Sequence, residues 1–502
     1  NAGARMIGPS SGETVQEVLL NKVDASLLDY VSPEMYVPAG VNPTDYAPYI
    51  HACFDAVAAH GVKTIKLLKM YPVAAGSSFT VNTDYTTIQG FPWTGIRMVD
   101  AAPADMHNIF LVSASHCTLV GFSIQFNTGG AGSIGSVRTY GVFVNGDTSF
   151  NDLDGLQIEG KYSDTIMGFS NGVRLTGTDN IMQRCIVTHC SMGVTVRGTR
   201  LTLRNNTLDN GYTTEDGTAW TAAKPQWDGI ACEGVIDCLI ESNVCKNNGQ
   251  SGIYIGGGGA GYSSGTIITN NRVYHNWNRG IDTGISGSQS TSNDVTNLII
   301  SNNYIRNNRE TQLWLYGTNN TQVLGNKIIE TAEYDTLFGS QPSTSRAALA
   351  LGQSAWCVNN IIDDNDIQVR TTTPFGVVFN GLGHIISQNN RIGGGASNYW
   401  FGSPVTMLYS NKVAYFKATF TPVLRAGSSG VTLTSGTASY TIRNNEVEYD
   451  IELLMNASTG SGNLYVGTLP ATNGVLLDSQ EVIVTYWTGL TWALIPGSQL
   501  QA

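Results

Sequence analysis

Asn171-Gly-Val-Arg-Leu-Thr-Gly177, Met192-Gly-Val-Thr-Val-Arg-Gly198, Asp228-Gly-Ile-Ala-Cys-Glu-Gly234 and Ser251-Gly-Ile-Tyr-Ile-Gly-Gly257 are one unit written four times. A glycine opens each copy, an apolar-x-apolar strand follows, and a second glycine ends it. Looser copies continue at Arg279-Gly-Ile-Asp-Thr-Gly284, Thr311-Gln-Leu-Trp-Leu-Tyr-Gly317, Ala347-Ala-Leu-Ala-Leu-Gly352 and Phe375-Gly-Val-Val-Phe-Asn-Gly381, and one precedes them at Tyr140-Gly-Val-Phe-Val-Asn-Gly146. After a short turn comes an apolar run ending in asparagine, as in Leu-Arg-Asn-Asn206, Ile-Glu-Ser-Asn243, Ile-Thr-Asn-Asn271 and Ile-Ser-Asn-Asn303. Strands this short, recurring about every 21 to 36 residues with no helix between them, suit neither separate hairpins nor a dinucleotide-binding sheet. They stack as rungs of a parallel β-helix, each burying its apolar face only against its neighbours.

Because such a rod grows by adding rungs, the 502 residues do not count domains. Apolar residues make up 41% and charged residues 13%, with 57 glycines, a profile of strands and turns rather than of a helical bundle or a disordered chain. A net charge of −11 repels a phosphate backbone, so nucleic acid is not an expected partner. No apolar run is long enough to span a membrane, and the start carries no signal-peptide pattern. A chain beginning with Asn1 reads as part of something longer. None of the eight cysteines lies in a Cys-x-x-Cys pair, so they are expected as small buried residues. The seven histidines make no ligand spacing, so no metal and no cofactor is expected.

Residues 12–31 carry apolar side chains at roughly helical spacing, a stretch that needs a partner or copies of itself. Asn42-Pro43-Thr44-Asp45 supplies helix-start signals. Ile50, Cys53, Phe54, Val57 and Ala58 then form an apolar stripe before Gly61, predicting a helix that caps the open end of the rod. From Tyr399 the pattern changes to longer alternating strands, including Ala414–Pro422, Val447–Leu454, Gly462–Gly467 and Glu481–Tyr486, which read as an antiparallel sandwich or jelly roll. The expected division is 1–40 as a neck or oligomerisation segment, 41–398 as the β-helix with its capping helix, and 399–502 as a β-sandwich for trimerisation or carbohydrate binding.

The capping helix, the glycine and asparagine repeats and the terminal sandwich together resemble bacteriophage tailspike depolymerases, of the pectin-lyase-like right-handed β-helix family. Gly3-Ala4-Arg5-Met6-Ile7-Gly8 with Thr14-Val15-Gln16 is similar to a tailspike neck. Phe420-Thr-Pro-Val-Leu-Arg-Ala-Gly and Gly460-Ser-Gly-Asn-Leu-Tyr-Val-Gly-Thr-Leu-Pro470 are similar to the C-terminal jelly roll of phage tail proteins. The resemblance implies a homotrimer on the virion tail, attached through an N-terminal head-binding domain that this chain lacks, acting at the host cell surface on capsular polysaccharide or O-antigen. It assigns no catalytic residues.

Those come from the repeat itself. The two apolar residues of each strand point inward, so the residue between them and the one after point out. Across neighbouring rungs ~4.8 Å apart, this gathers Arg197, Glu233, Tyr254, Asp282, Trp314 and Tyr316 on one face, with Ala231, Gly256 and Gly284 leaving a trough. Carboxylates among aromatic plates and arginines suit glycoside hydrolysis. Glu233 and Asp282 are the favoured acid/base pair, with Asp228 at the turn as a further catalytic candidate. Two rungs and two residues of offset separate Glu233 from Asp282 by ~12 Å between Cα atoms. Reaching side chains then approach the ~6.5–9.5 Å of an inverting enzyme. The insertion between Asn210 and Asp228 adds Glu215, Asp216, Trp220 and Trp227 as binding candidates. Two rivals use the same face. A lyase would set Arg197 or Arg279 against a uronate carboxylate with Tyr254 as base, and an adhesin would bind without cleaving. Trp314 and Tyr316 also suit packing against another subunit.

Overall fold

Each rung contributes one strand to each of three parallel sheets. The computed structural model describes residues 29–74, 76–98, 107–126, 139–160, 170–210, 227–256, 262–284, 295–338, 347–352, 357–379, 384–387, 389–394 and 397–401, and beyond these a set of C-terminal strands. The first two sheets hold twelve strands each, so the rungs run from Thr64–Lys66 to Arg391–Gly393, and the third sheet ends at Ser397–Phe401. Pairing between rungs is parallel throughout the rod, as in Val173↔Val194↔Ile230↔Ile253↔Ile281↔Leu313. Every side chain in that column is fully buried. At roughly 1.5–3 kcal/mol for each buried Val, Leu or Ile, such columns hold the rod together.

The glycine that opens each repeat is required by close approach. A Cβ at Gly229 would fall 2.7 Å from the Gly252 carbonyl oxygen, and Gly141, Gly172, Gly193, Gly252 and Gly280 each meet the next rung's carbonyl in the same way. The asparagines form ladders. Along Asn206, Asn243, Asn271, Asn303, Asn326, Asn365 and Asn390, each backbone N–H and each Nδ2 donates to the next Oδ1 at 2.9–3.1 Å. A second ladder joins Asn210, Asn248, Asn276 and Asn308 to Gln312 at the other turn. The doublets divide their work: Asn205, Asn270 and Asn302 take the left-handed conformation at the corner, and the next residue builds the ladder.

The capping helix runs from Ala47 to His60, starting later than Asn42-Pro43 suggested. Asp45 Oδ1 accepts the N–H groups of Ala47 and, at 3.2 Å, Ala74, which ties the helix start to the rod and leaves Pro48 in its first turn. Gly61 ends it with φ +73°. Ile50, Cys53, Phe54 and Val57 are buried as expected, but Ala58 is exposed and Ala56 takes its place, because the covered face turns toward the first rungs. The structure also contains a helix between rungs that the repeat did not predict, Glu333–Phe338. It buries Tyr334 and sets Phe338 against Trp277.

Residues 1–28, with the neck-like motif, lie outside the described residues, as does Glu481–Tyr486. The C-terminal strands are antiparallel as expected. Phe416–Phe420, Leu433–Arg443 and Glu446–Met455 make one sheet, and Val423–Ala426, Ser429–Gly430 and Leu464–Gly467 another.

Candidate active site

Four strands of the third sheet, Ile230–Ile236, Ile253–Gly256, Ile281–Gly284 and Leu313–Leu315, bring Ala231, Tyr254, Asp282 and Trp314 into one outward column. Glu233, Gly256 and Gly284 form the next. This is the register read from the sequence. A third column lies just before the opening glycines, where Asp228, Ser251 and Arg279 stack through the backbone bonds Gly229 N–H to Ser251 O and Gly252 N–H to Arg279 O.

The first and third of these columns converge on a pair of carboxyl groups. Asp228 Oδ1 accepts the Ser251 N–H at 2.8 Å, and Ser251 Oγ donates to Asp282 Oδ2 at 3.4 Å. Arg279 Nη1 donates to the same Asp282 oxygen at 2.7 Å. Asp282 Oδ1 is buried without a hydrogen-bond partner. Asp282 is therefore not the exposed position that an outward column suggested: 4% of its surface is accessible, and Asp228 keeps 5%. The reason is local, since the Arg279 side chain of its own rung and Ser251 of the rung before close over it. Burial raises the Asp228 carboxyl to about 7, and the charge of Asp282 adds to the rise. Burial also raises Asp282, but the Arg279 charge and hydrogen bond oppose it. Both carboxyls are thus raised, and the Arg279 hydrogen bond to Asp282 sets their environments apart, as a division of acid and base work between two carboxyls requires.

Glu233 stands apart from that pair. It forms an ion pair with Arg197, both partly exposed, two rungs and two residues from Asp282. Tyr254 fills the trough expected over Gly256 and Gly284. A Cβ at Gly284 would meet its ring at 2.9 Å, one at Gly256 would collide with it, and its hydroxyl donates to the Gly284 carbonyl at 3.2 Å. Trp314 is not an open plate either: the Arg279 guanidinium lies 3.3 Å from its ring centroid, and Tyr316 meets it edge to face at 6.1 Å. Trp227, next to Asp228, is 40% exposed and offers aromatic surface to a ligand. Glu215, Asp216 and Trp220 lie outside the described residues.

Trp314→Ala is accordingly expected to act through Arg279. Without its ring to lie on, the guanidinium moves, Asp282 loses its counter-charge, and turnover falls with little change in the substrate concentration needed for half-saturation. A kinetic split showing only weaker binding would restore the stacking role.

Two participants escaped the sequence reading, Ser251 and Glu310, whose Oε2 lies 4.0 Å from Arg279 Nε. Ser251 was accessible: it precedes the opening glycine as Asp228 and Arg279 do, so aligning the repeats one column earlier displays it. Glu310 lies one column earlier still, after Trp227, Gln250 and Asn278, whose backbones bond from rung to rung. Among the described residues no group of three His, Cys, Asp or Glu side chains is placed to hold a metal. All eight cysteines are free and buried, and burial raises the thiols of Cys238 and Cys357 to about 11, so they pack rather than react.

A rod of three parallel sheets with a carboxyl pair on its outer face defines a class. The chain belongs to the right handed beta helix family, whose model matches residues 107–328 and 220–467. Among curated relatives, it is 28% identical over 414 residues to the tail spike protein of Salmonella phage epsilon15, covering 78% of this chain and spanning 38% of that relative's length. Among solved structures, it is similar to the Dettilon tailspike protein, with a TM-score of 0.70 and 24% identity over 91% of this chain and 84% of that one. It is also similar to the A-module of the Azotobacter vinelandii mannuronan C-5 epimerase AlgE6, with a TM-score of 0.59 and 16% identity over 76% of this chain and 97% of that one. The tailspike resemblance drawn from the sequence is thus matched by a relative in sequence and a neighbour in fold.

Proposed function

We propose that this chain is the polysaccharide-cleaving rod of a phage tailspike, stationed on the virion tail, which hydrolyses capsular polysaccharide or O-antigen at the host surface. Asp228 donates the proton to the leaving glycosidic oxygen. Asp282, kept charged by Arg279, acts on the opposite side as base or nucleophile. Ser251 bridges the two carboxyls and fixes their relative orientation. Glu233 and Arg197 hold sugar hydroxyls beside the acids, and Trp227 stacks on a ring. The observation that carries the reading is the buried Asp228–Ser251–Asp282–Arg279 constellation on the outer face. Its support against a lyase is electrostatic: Arg197 and Arg279, the cations beside the acids among the described residues, are each taken by a carboxylate of the protein rather than left for a uronate.

Homotrimeric assembly, implied by the tailspike resemblance of the sequence, belongs to the same proposal. Three parallel copies would cover apolar surface and close under cyclic symmetry. Light scattering of the intact chain is expected to give about three times the 53.7 kDa of one chain. Incubating that species with host polysaccharide tests the chemistry. New reducing ends without ultraviolet absorbance support hydrolysis, absorbance from a new double bond makes it a lyase, and unchanged polymer makes it an adhesin.

A further inference from the structure

The outer face carries a third arginine whose position neither fold nor chemistry has yet explained. Arg174, on the Ser170–Thr178 strand, lies in the same column as Asp282, reached through Thr195, Ala231 and Tyr254. Its guanidinium rests 4.6 Å from the centroid of Phe143 on the preceding rung. Unlike Arg197 and Arg279, it has no carboxylate within ion-pair distance among the described residues; its Nε, like theirs, is buried without a hydrogen-bond partner. Thr195, which follows it in the column, is uncharged and buried. A guanidinium flattened on a ring, with donors unspent, is pre-organised for a planar or tetrahedral oxyanion that takes two parallel N–H bonds. On a chain of net charge −11, such a lone cation is a local exception.

We infer that Arg174 and Phe143 form an anion subsite of the groove, taking an acidic substituent of the glycan, a carboxylate or a phosphate ester, two rungs from Asp228 and four from Asp282. This rests on reading the outer face as a glycan groove. Two to four rung spacings amount to ~10–19 Å along the rod. The substrate is therefore an acidic polysaccharide, with its charge held away from the scissile bond.

Ligand-observed saturation-transfer titration of the intact chain with glucuronate, and with glucose as the neutral control, tests the subsite. Glucuronate is expected to bind the wild type and to bind Arg174→Gln about tenfold more weakly, the scale of a lost charge-assisted bidentate bond. Arg174→Lys, which keeps the charge but not the fork, should fall between them, and all three proteins should melt alike. Competition by inorganic phosphate would extend the subsite to phosphate esters, and its failure would restrict it to carboxylates. Equal glucuronate binding by wild type and Arg174→Gln, or equal response to glucose and glucuronate, overturns the proposal. Asp228→Asn should bind glucuronate as the wild type does, so failure of the hydrolase reading and failure of this one are told apart.

Discussion

Asp228→Asn is expected to lower depolymerisation by at least about a hundredfold, the usual scale of general acid–base help, while the rod stays folded. Asp282→Asn should do the same, and Glu233→Gln much less, since Glu233 is tied to Arg197 away from the pair. The pH profile carries a second signature. An acid with its carboxyl near 7 loses activity above that value, and a base raised above the ordinary carboxylate range loses it on the acid side. The two limbs report the coupled pair rather than either residue alone. Stability follows the opposite logic to a salt-bridged carboxylate. Asp228 holds its proton in the native state up to about 7, whereas the unfolded chain releases it near the ordinary value of 3.8. Between those values the native state binds more protons, so its stability falls as pH rises. Melting of the wild type should decline from pH 5 to pH 8, and Asp228→Asn should flatten that decline. Full activity in Asp228→Asn would move the chemistry elsewhere on the face.

The rod itself was legible in the sequence because its repeat is geometric. Inward columns such as Val194, Ile230 and Ile253, the crowded glycines and the ladder asparagines each recur at fixed places in every copy, so counting residues recovers their register. Side-chain conformation is not periodic, and there the reading ran out. Nothing in Ser251-Gly-Ile-Tyr-Ile-Gly-Gly257 reveals that Tyr254 lies down across two glycines, or that Arg279 folds back over Asp282 and onto Trp314. Both choices are made by neighbours from other rungs. The consequence was an acid pair assigned by exposure, Glu233 with Asp282, whereas the carboxyls that share electrostatics are Asp228 and Asp282. The helix Glu333–Phe338 escaped for a similar reason: it is a single insertion, and its packing partners Trp277 and Arg370 lie far away in sequence, on neighbouring rungs.

The same division between column and corner predicts a large difference within one doublet. Asn303→Leu is expected to cost ~2–4 kcal/mol, and Asn302→Gly almost nothing. Asn303 Oδ1 accepts both the backbone N–H and the Nδ2 of Asn271, and its own Nδ2 donates to the Ile268 carbonyl at 2.9 Å and to Asn326 Oδ1 at 3.0 Å. The residue is 1% exposed, so water cannot replace those partners. Leucine matches the volume but orphans the backbone N–H of Asn271, at roughly 1–3 kcal/mol, and removes one bond each from Asn271 Nδ2, which keeps Ile240 and Thr269, from the Ile268 carbonyl and from Asn326 Oδ1. Asn302 is exposed and has φ +54°, a conformation glycine takes without strain. Because a rung is held only by its neighbours, the loss at Asn303 is felt in the middle of the rod, beside the strands that carry Asp282 and Trp314. Thermal scans of both variants should therefore show a clear drop for Asn303→Leu and near coincidence with wild type for Asn302→Gly. Equal melting of the two would mean that the ladder follows the fold without stabilising it, and that the apolar columns alone hold the rungs in register.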